Sequence, residues 1–305
     1  MSRAVLITGA TGKQGGAVVQ ALVASSQNDF LLLCVTRDSQ SNRAQGLREK
    51  SPRIRIVQGD LNDVSGLFSA ARQVAGPVPI WGVFSVQAIM GKDVTPKQEV
   101  EQGVTLIEES IRAGVSFFVY SSVERGGVQR SWQNPTTIPH FRNKHQIEQH
   151  LRDSISRTNG LMGWTILRPV AFMDTYEPNL FGKVLMTMVR DNLTERPMQW
   201  VAVSDIGVFA AKAFENPEAW NHKAIGLAGD QATFDQIDAA FHKVTGRRME
   251  TTFGLFGKAL RYGVPEVRKM MNWMQEEGYK ADINTLREVH PELKDWEAFF
   301  RARYI

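Results

Sequence analysis

Short apolar runs and longer amphipathic stretches alternate through the first half of the chain. AVLIT, FLLLCVT, IRIVQ, IWGVFSV and SFFVYSS are almost continuously apolar and rich in β-branched and aromatic residues. Between them lie stretches of helical length at 13–25, 41–49, 63–72 and 98–113. Strands that are apolar on both faces belong to a parallel sheet covered by helices on both sides. With right-handed crossovers, such a series winds into a doubly wound α/β sheet of the Rossmann type. GWTILRPVAF predicts a sixth strand after a helix over 143–157, and AIGLAG, at 224–229, a seventh.

Beyond about residue 170 the alternation loosens. Helical patterns near 178–190, 204–215, 233–244 and 265–277 are joined by short extended pieces, with no Pro/Gly/Ser-rich linker. The expected organisation is a Rossmann domain over 1–170, its sheet completed by the 224–229 segment. A smaller α/β lobe over 171–305 follows, not independent of it and lying over the crevice at the strand ends. The Met and Trp residues of MQWVAV and MMNWMQ fit core packing at helical spacing better than a ligand pocket. DWEAFFRARYI reads as a docked C-terminal helix.

The first strand runs into ITGATGKQGG. Gly9, Gly12 and Gly15 stand in the spacing G-x-x-G-x-x-G between a strand and a helix. In such a turn the first glycine permits the reversal, the second lets a pyrophosphate approach bare backbone, and the third lets the helix pack on the strand. The helix N-terminus adds N–H donors and a partial positive charge. A dinucleotide site is the reading this context supports.

Strand two ends CVTRDS. An NAD site usually has an acid here for the ribose 2′-OH, whereas Arg37 stands at the tip, suited to grip a 2′-phosphate. NADP is therefore expected over NAD, although Asp38 follows directly. Asp60 and Leu61, in QGDLND, are placed beside the adenine. Ser85, Val86 and Gln87, at the end of strand four, border the nicotinamide half.

A catalytic tyrosine paired with a lysine four residues later is the short-chain dehydrogenase arrangement, since that spacing puts both on one helix face. Lys144 lies on the expected helix, but the residue four before it is His140. Two readings stand. His140 serves as the proton donor, for which an imidazole is suited, or Lys144 only holds the cofactor ribose and hydride transfer is weak or absent. Ser121 and Ser122 could bond a substrate or the strand end. His145 and His150 are five apart and share no face, so no metal site is expected.

Composition narrows the classes. Lys and Arg number 36 against 32 Asp and Glu, for a net charge of +4, and no block of five like charges occurs. A nucleic-acid binder usually concentrates its basic residues, so direct nucleic-acid binding is not expected. The single cysteine, Cys34, allows no internal disulfide and suits a reducing compartment. Without a signal-peptide layout or a run of about 20 apolar residues, the chain reads as cytoplasmic with no membrane span.

GATGKQGG, VTRD, QGDLND, PHFRNK and ILRPVAFMD, with VSDIGVFAAKAF later, resemble the NmrA-like family, atypical relatives of the short-chain dehydrogenases. The resemblance covers residues 3–300. It implies an NADP(H)-binding Rossmann domain in which Gly9, Thr11, Gly12, Lys13, Gln14, Gly15, Arg37, Asp60, Leu61, Lys144 and Phe172 contact the cofactor. It further implies a redox-sensing regulator acting through protein partners, in the cytoplasm and also the nucleus, with a homodimer among the admissible assemblies. Related branches are instead NADPH-dependent reductases of small carbonyls, enones or imines that rely on the helix lysine. Ala171 and Asp174 depart from the family's usual aromatic and asparagine.

Overall fold

Strand β1 (Ala4–Ile7) is buried over its whole length, as are β2 (Leu31–Thr36) and β5 (Phe117–Ser121). This is what continuously apolar strands require: a sheet with both faces covered. Each fully buried Val, Leu or Ile contributes about 1.5–3 kcal/mol relative to exposure, so these runs fix the centre of the sheet. The computed structural model describes residues 2–88, 95–158, 160–193, 195–252, 254 and 263–305.

The remaining strands of this sheet are β3 (Ile54–Gln58), β4 (Ile80–Ser85), β6 (Gly163–Pro169) and β9 (Lys223–Leu227). The order is β3-β2-β1-β4-β5-β6-β9. The pairs β1–β2, β2–β3, β1–β4, β4–β5 and β5–β6 are all parallel. The order reverses between β1 and β4, and in open α/β sheets ligands bind outside the carboxyl ends of the strands at such a switch point.

Helices α1 (Lys13–Ala24), α2 (Asn42–Arg48), α3 (Val64–Ala75) and α4 (Pro96–Arg112) connect the first five strands. Short α5 (Val128–Gln133) and long α6 (Pro139–Arg157) lie between β5 and β6. Local chemistry sets several starts. Thr95 caps α4 with a reciprocal capping box: its hydroxyl accepts from Gln98 N at 3.2 Å, and Gln98 Oε1 accepts from Thr95 N at 2.8 Å. Asp63 caps α3 by accepting from Gly66 N at 3.0 Å.

The described chain divides into two compact units. One comprises Met1–Ser122, Arg142–Leu167 and Ile206–Ile225; the other comprises Val123–Phe141, Arg168–Asp205 and Gly226–Ile305. Most of the helix Val203–Glu215, which follows residue 170, thus belongs with the first unit.

Within the second unit a small sheet has the order β10-β8-β7. Strand β8 (Met198–Val201) pairs parallel with β7 (Ala171–Phe172) and antiparallel with β10 (Asp230–Ala232). Its core is aromatic and methionine-rich. Met198, Trp200, Met271, Trp273 and Met274 are all buried in one cluster, as the core-packing reading of MQWVAV and MMNWMQ expects. Trp200 meets Trp296 edge-on at 5.1 Å. The C-terminal helix, Trp296–Tyr304, buries Trp296, Phe299 and Phe300.

Residues 123–139, whose Gly, Pro and polar content suggests a mobile loop, carry helix α5 and a dense set of internal bonds. The buried Glu124 carboxylate accepts from Gly126 N at 3.0 Å, from Gly127 N, and from Lys280 N at 3.0 Å. Gly126 and Gly127 have φ of +94° and +103°, a backbone region that side chains disfavour.

Candidate functional site

The turn after β1 is shaped by what its glycines lack. Gly9 has φ +61°, and a Cβ there would lie 2.9 Å from Val86 Cγ1. A Cβ on Gly15 would lie 2.4 Å from Gly9 O and 2.5 Å from Thr8 O, which are backbone atoms that cannot step aside. Gly12 caps α1 with extended geometry and no side-chain hydrogen bond, and no acid occupies the first turn. The helix therefore presents its N-terminal N–H groups and the positive end of its dipole without a competing carboxylate or hydroxyl cap. These features fit a diphosphate, whose approach demands bare backbone and anion-stabilising dipoles.

The switch point is knitted together beside this turn. Thr8 Oγ1 accepts from Val86 N at 2.8 Å and donates toward the carbonyls of Phe84 and Val86, at 3.2 and 3.1 Å. Gln14 Oε1, in the first turn of α1, accepts from Ser121 Oγ at 2.6 Å. Gln14 thereby joins the glycine turn to the end of β5, and Ser121 is committed to that bond. Thr11 is half-buried, while Lys13 is exposed on the first turn of α1.

Arg37 is exposed immediately beyond β2. Its neighbour Asp38 is used locally: Oδ1 accepts from Gln40 N at 2.9 Å, and Asp38 N donates to Thr36 Oγ1 at 3.3 Å. This is the hydrogen-bonded Asx turn that aspartate favours. Asp60, at the end of β3, turns in the same manner, its Oδ1 accepting from Asn62 N at 2.8 Å, and Leu61 is half-buried. Ser85 and Gln87 are buried at the end of β4, with Val86 half-buried between them. Gln87 Nε2 donates to Ser85 Oγ at 2.9 Å, while Gln87 Oε1 is buried without a hydrogen-bond partner among the described residues.

Lys144 is buried on α6, and its Nζ lies 3.2 Å from Glu99 Oε1 and 5.8 Å from the centroid of the Tyr120 ring. Glu99 is only 2 % exposed and belongs to the first turn of α4. Its Oε2 accepts from Asn143 Nδ2 at 3.0 Å. Glu99 and Asn143 are absent from the sequence reading. The available signal is an acid one residue beyond a capping box, but its pairing with Lys144 depends on how α4 and α6 pack.

Two expected site residues lie in the second unit. His140 Nδ1 is 2.5 Å from Glu266 Oε1, and its ring meets Phe141 edge-on at 4.7 Å. Phe172 is half-buried in β7, its carbonyl accepting from Thr175 Oγ1 at 2.5 Å. Asp174 serves the fold, accepting from Val203 N at 2.7 Å. Tyr120, the tyrosine nearest Lys144 in the motif region, is fully buried. Among the described residues, no three His, Cys, Asp or Glu gather as a metal site, and no helix is long and apolar enough to cross a membrane.

The NmrA-like family matches residues 1–300. The chain belongs to the NmrA-like family. An NmrA-like family domain-containing oxidoreductase of Malbranchea aurantiaca is 25 % identical over 266 residues, covering 81 % of this chain and 74 % of its own. An NmrA-like family domain-containing protein of Dictyostelium discoideum is 21 % identical over 260 residues, covering 83 % and 81 %. The solved structure of NmrA, a negative transcriptional regulator, in complex with NADP superimposes with a TM-score of 0.68 at 17 % identity, over 99 % of this chain and 95 % of that one. The triphenylmethane reductase of Citrobacter sp., complexed with NADP(H), gives 0.70 at 18 % identity over the whole of both chains. These neighbours share the doubly wound α/β fold.

Proposed function

We propose that this NmrA-like protein binds NADP(H) at the carboxyl ends of β1, β2 and β4, and that it acts as a redox-sensing regulator through protein partners. The observation that carries the binding is the bare N-terminus of α1: Gly12 offers no capping side chain, and Gly9 and Gly15 leave no room for one. The solved NmrA and triphenylmethane reductase structures, of the same fold, contain NADP or NADP(H).

In this reading, the first turn of α1 holds the diphosphate through backbone N–H groups. Arg37 takes the 2′-phosphate in its guanidinium fork, while Asp38, engaged with Gln40 N, does not contest the ribose. Asp60 and Leu61 border the adenine. Ser85, Val86, Gln87 and Lys144 serve the nicotinamide half. Hydride donation or acceptance is the chemistry the coenzyme supplies when bound. The regulator reading draws on the want of a positioned phenol: no tyrosine precedes Lys144 by four residues, and Tyr120 is sealed in the core.

A specific observation favours a second reading, an NADPH-dependent reductase of a small carbonyl, enone or imine. His140 is held by the Glu266 carboxylate, and a histidine oriented by an acid can pass a proton near neutral pH. The Malbranchea relative is also named an oxidoreductase. NADPH affinity and NADPH oxidation, measured on the same preparation against a carbonyl, enone and imine panel, separate the two. Saturable binding with no oxidation above background supports the regulator. Substrate-dependent oxidation that His140→Gln abolishes supports the reductase.

A further inference from the structure

We propose that Glu99 is a positioning residue that holds the Lys144 ammonium in place for the nicotinamide half of the coenzyme. This rests on the proposed role of Lys144 as the lysine that faces the cofactor ribose.

A lysine ends in a compact charge on a flexible four-carbon stem. To act as a precise donor, it needs something to fix the far end. Burial and two neighbouring groups do so here. The stem rises from α6 inside the fold, with only 7 % of the residue exposed. The Tyr120 ring lies beneath the ammonium at 5.8 Å. Glu99 approaches from α4, with Oε1 at 3.2 Å from Nζ.

The Glu99 contact has a particular form. Its second oxygen is tied by Asn143 Nδ2 at 3.0 Å, which sets the plane of the carboxylate. Oε1 is close enough to Nζ for an ion pair, yet it accepts no aligned hydrogen bond among the described residues. The carboxylate thus compensates the charge without consuming a well-directed N–H of the ammonium. Among the described residues no aligned acceptor takes the donors of Nζ, while the charge stays where burial alone would disfavour it.

A purely structural ion pair is a weak explanation. Replacing a buried pair with apolar residues of similar volume is often neutral or stabilising, so the fold alone does not call for one. The location also matters. Tyr120 on β5 is the register partner of Ser85 on β4, so Lys144 sits over the strand end that precedes Gln87, whose Oε1 is buried without a hydrogen-bond partner among the described residues.

The experiment compares dissociation constants for NADPH and NADH, read by nucleotide fluorescence, for wild type, Glu99→Gln, Lys144→Met and the double variant, each shown to melt cooperatively. Glu99→Gln keeps the volume and removes the counter-charge. It is expected to weaken both nucleotides by about tenfold, within the range by which contacting residues couple, and in equal ratio because the nicotinamide half is common to both. In the Lys144→Met background it is expected to cause no further loss. Asn143→Ala, which releases Oε2 and leaves the Glu99 carboxylate itself in place, is expected to show a smaller loss in the same direction and carries the test if Glu99→Gln does not fold. If Lys144→Met weakens binding while Glu99→Gln, or Asn143→Ala in its place, leaves both constants within twofold, the positioning role is wrong. An equal loss from Glu99→Gln with and without Lys144 also overturns it, since Glu99 would then act on the fold. Unchanged affinity in Lys144→Met removes the cofactor role of the lysine, and this inference with it.

Discussion

Gly15 sits against the carbonyl of Gly9 so closely that a Cβ on Gly15 would lie 2.4 Å from the Gly9 oxygen. That oxygen belongs to backbone, in a turn whose Gly12 N–H already donates to Gly9 O at 2.9 Å. Gly15→Ala must therefore move α1 away from β1. The expected cost is about 1–3 kcal/mol, as for other overpacked sites, together with loss of measurable NADPH binding. A denaturant melt with a parallel nucleotide titration checks both. Wild-type stability with wild-type affinity would show that the turn tolerates the methyl group.

A second prediction concerns acid stability. Asp205 is fully buried in the second unit, where its Oδ2 accepts from Lys294 N at 2.9 Å and Lys294 Nζ lies 3.2 Å from Oδ1. Burial pushes its carboxyl up, but the His290 and Lys294 contacts outweigh that and hold it below the usual aspartate value. A group depressed in the folded state contributes stability above its unfolded pKa, near 3.9, and loses it as pH falls through the folded value. Asp205→Asn is expected to lower stability at neutral pH by about 3 kcal/mol, the low end for breaking a buried pair, since Lys294 keeps partial contact with water. The acid limb of its stability profile should also flatten. Urea melts from pH 3 to pH 7 would show this, and an unchanged acid limb would remove Asp205 from the account.

The lone thiol should be silent in the folded protein. Cys34 is buried in β2, and burial pushes its pKa up to about 12. Little thiolate forms at ordinary pH, and reagent cannot reach it. Labelling with a chromogenic disulfide at pH 8 is expected to follow unfolding in urea and to be absent before it. Rapid labelling of native protein would place Cys34 at an accessible surface.

Much of the fold was legible because the parallel sheet writes itself as unbroken apolar strands such as LLLCVT, and the glycine turn follows the first of them directly. Other features depend on pairing that no local pattern records. The sheet β10-β8-β7 uses segments of two to four residues, too short to show alternation, drawn from three separate places in the chain. Residues 123–139 are tied to a distant part of the chain by one buried acid, Glu124, which accepts from Lys280 N across 156 residues. Lys144 was visible from the His-Phe-x-x-Lys spacing, whereas its partner Glu99 looks in sequence like any acid in the first turn of a helix. Asp38 shows the opposite limit: the sequence placed it next to Arg37, and only the turn geometry shows its carboxylate bonded to Gln40 N.

The central claim is that the glycine turn holds a diphosphate while Arg37 selects the phosphorylated adenosine. Its most direct test is a paired titration of NADPH and NADH into wild type and Arg37→Ala, followed through tryptophan fluorescence. The account predicts tighter NADPH than NADH binding in the wild type. In the variant it predicts NADPH weakened by about 10–100-fold, the loss of one charge-assisted bidentate contact, with NADH changed less than twofold. Equal losses for the two nucleotides, or no saturable binding of either by the wild type, would contradict it.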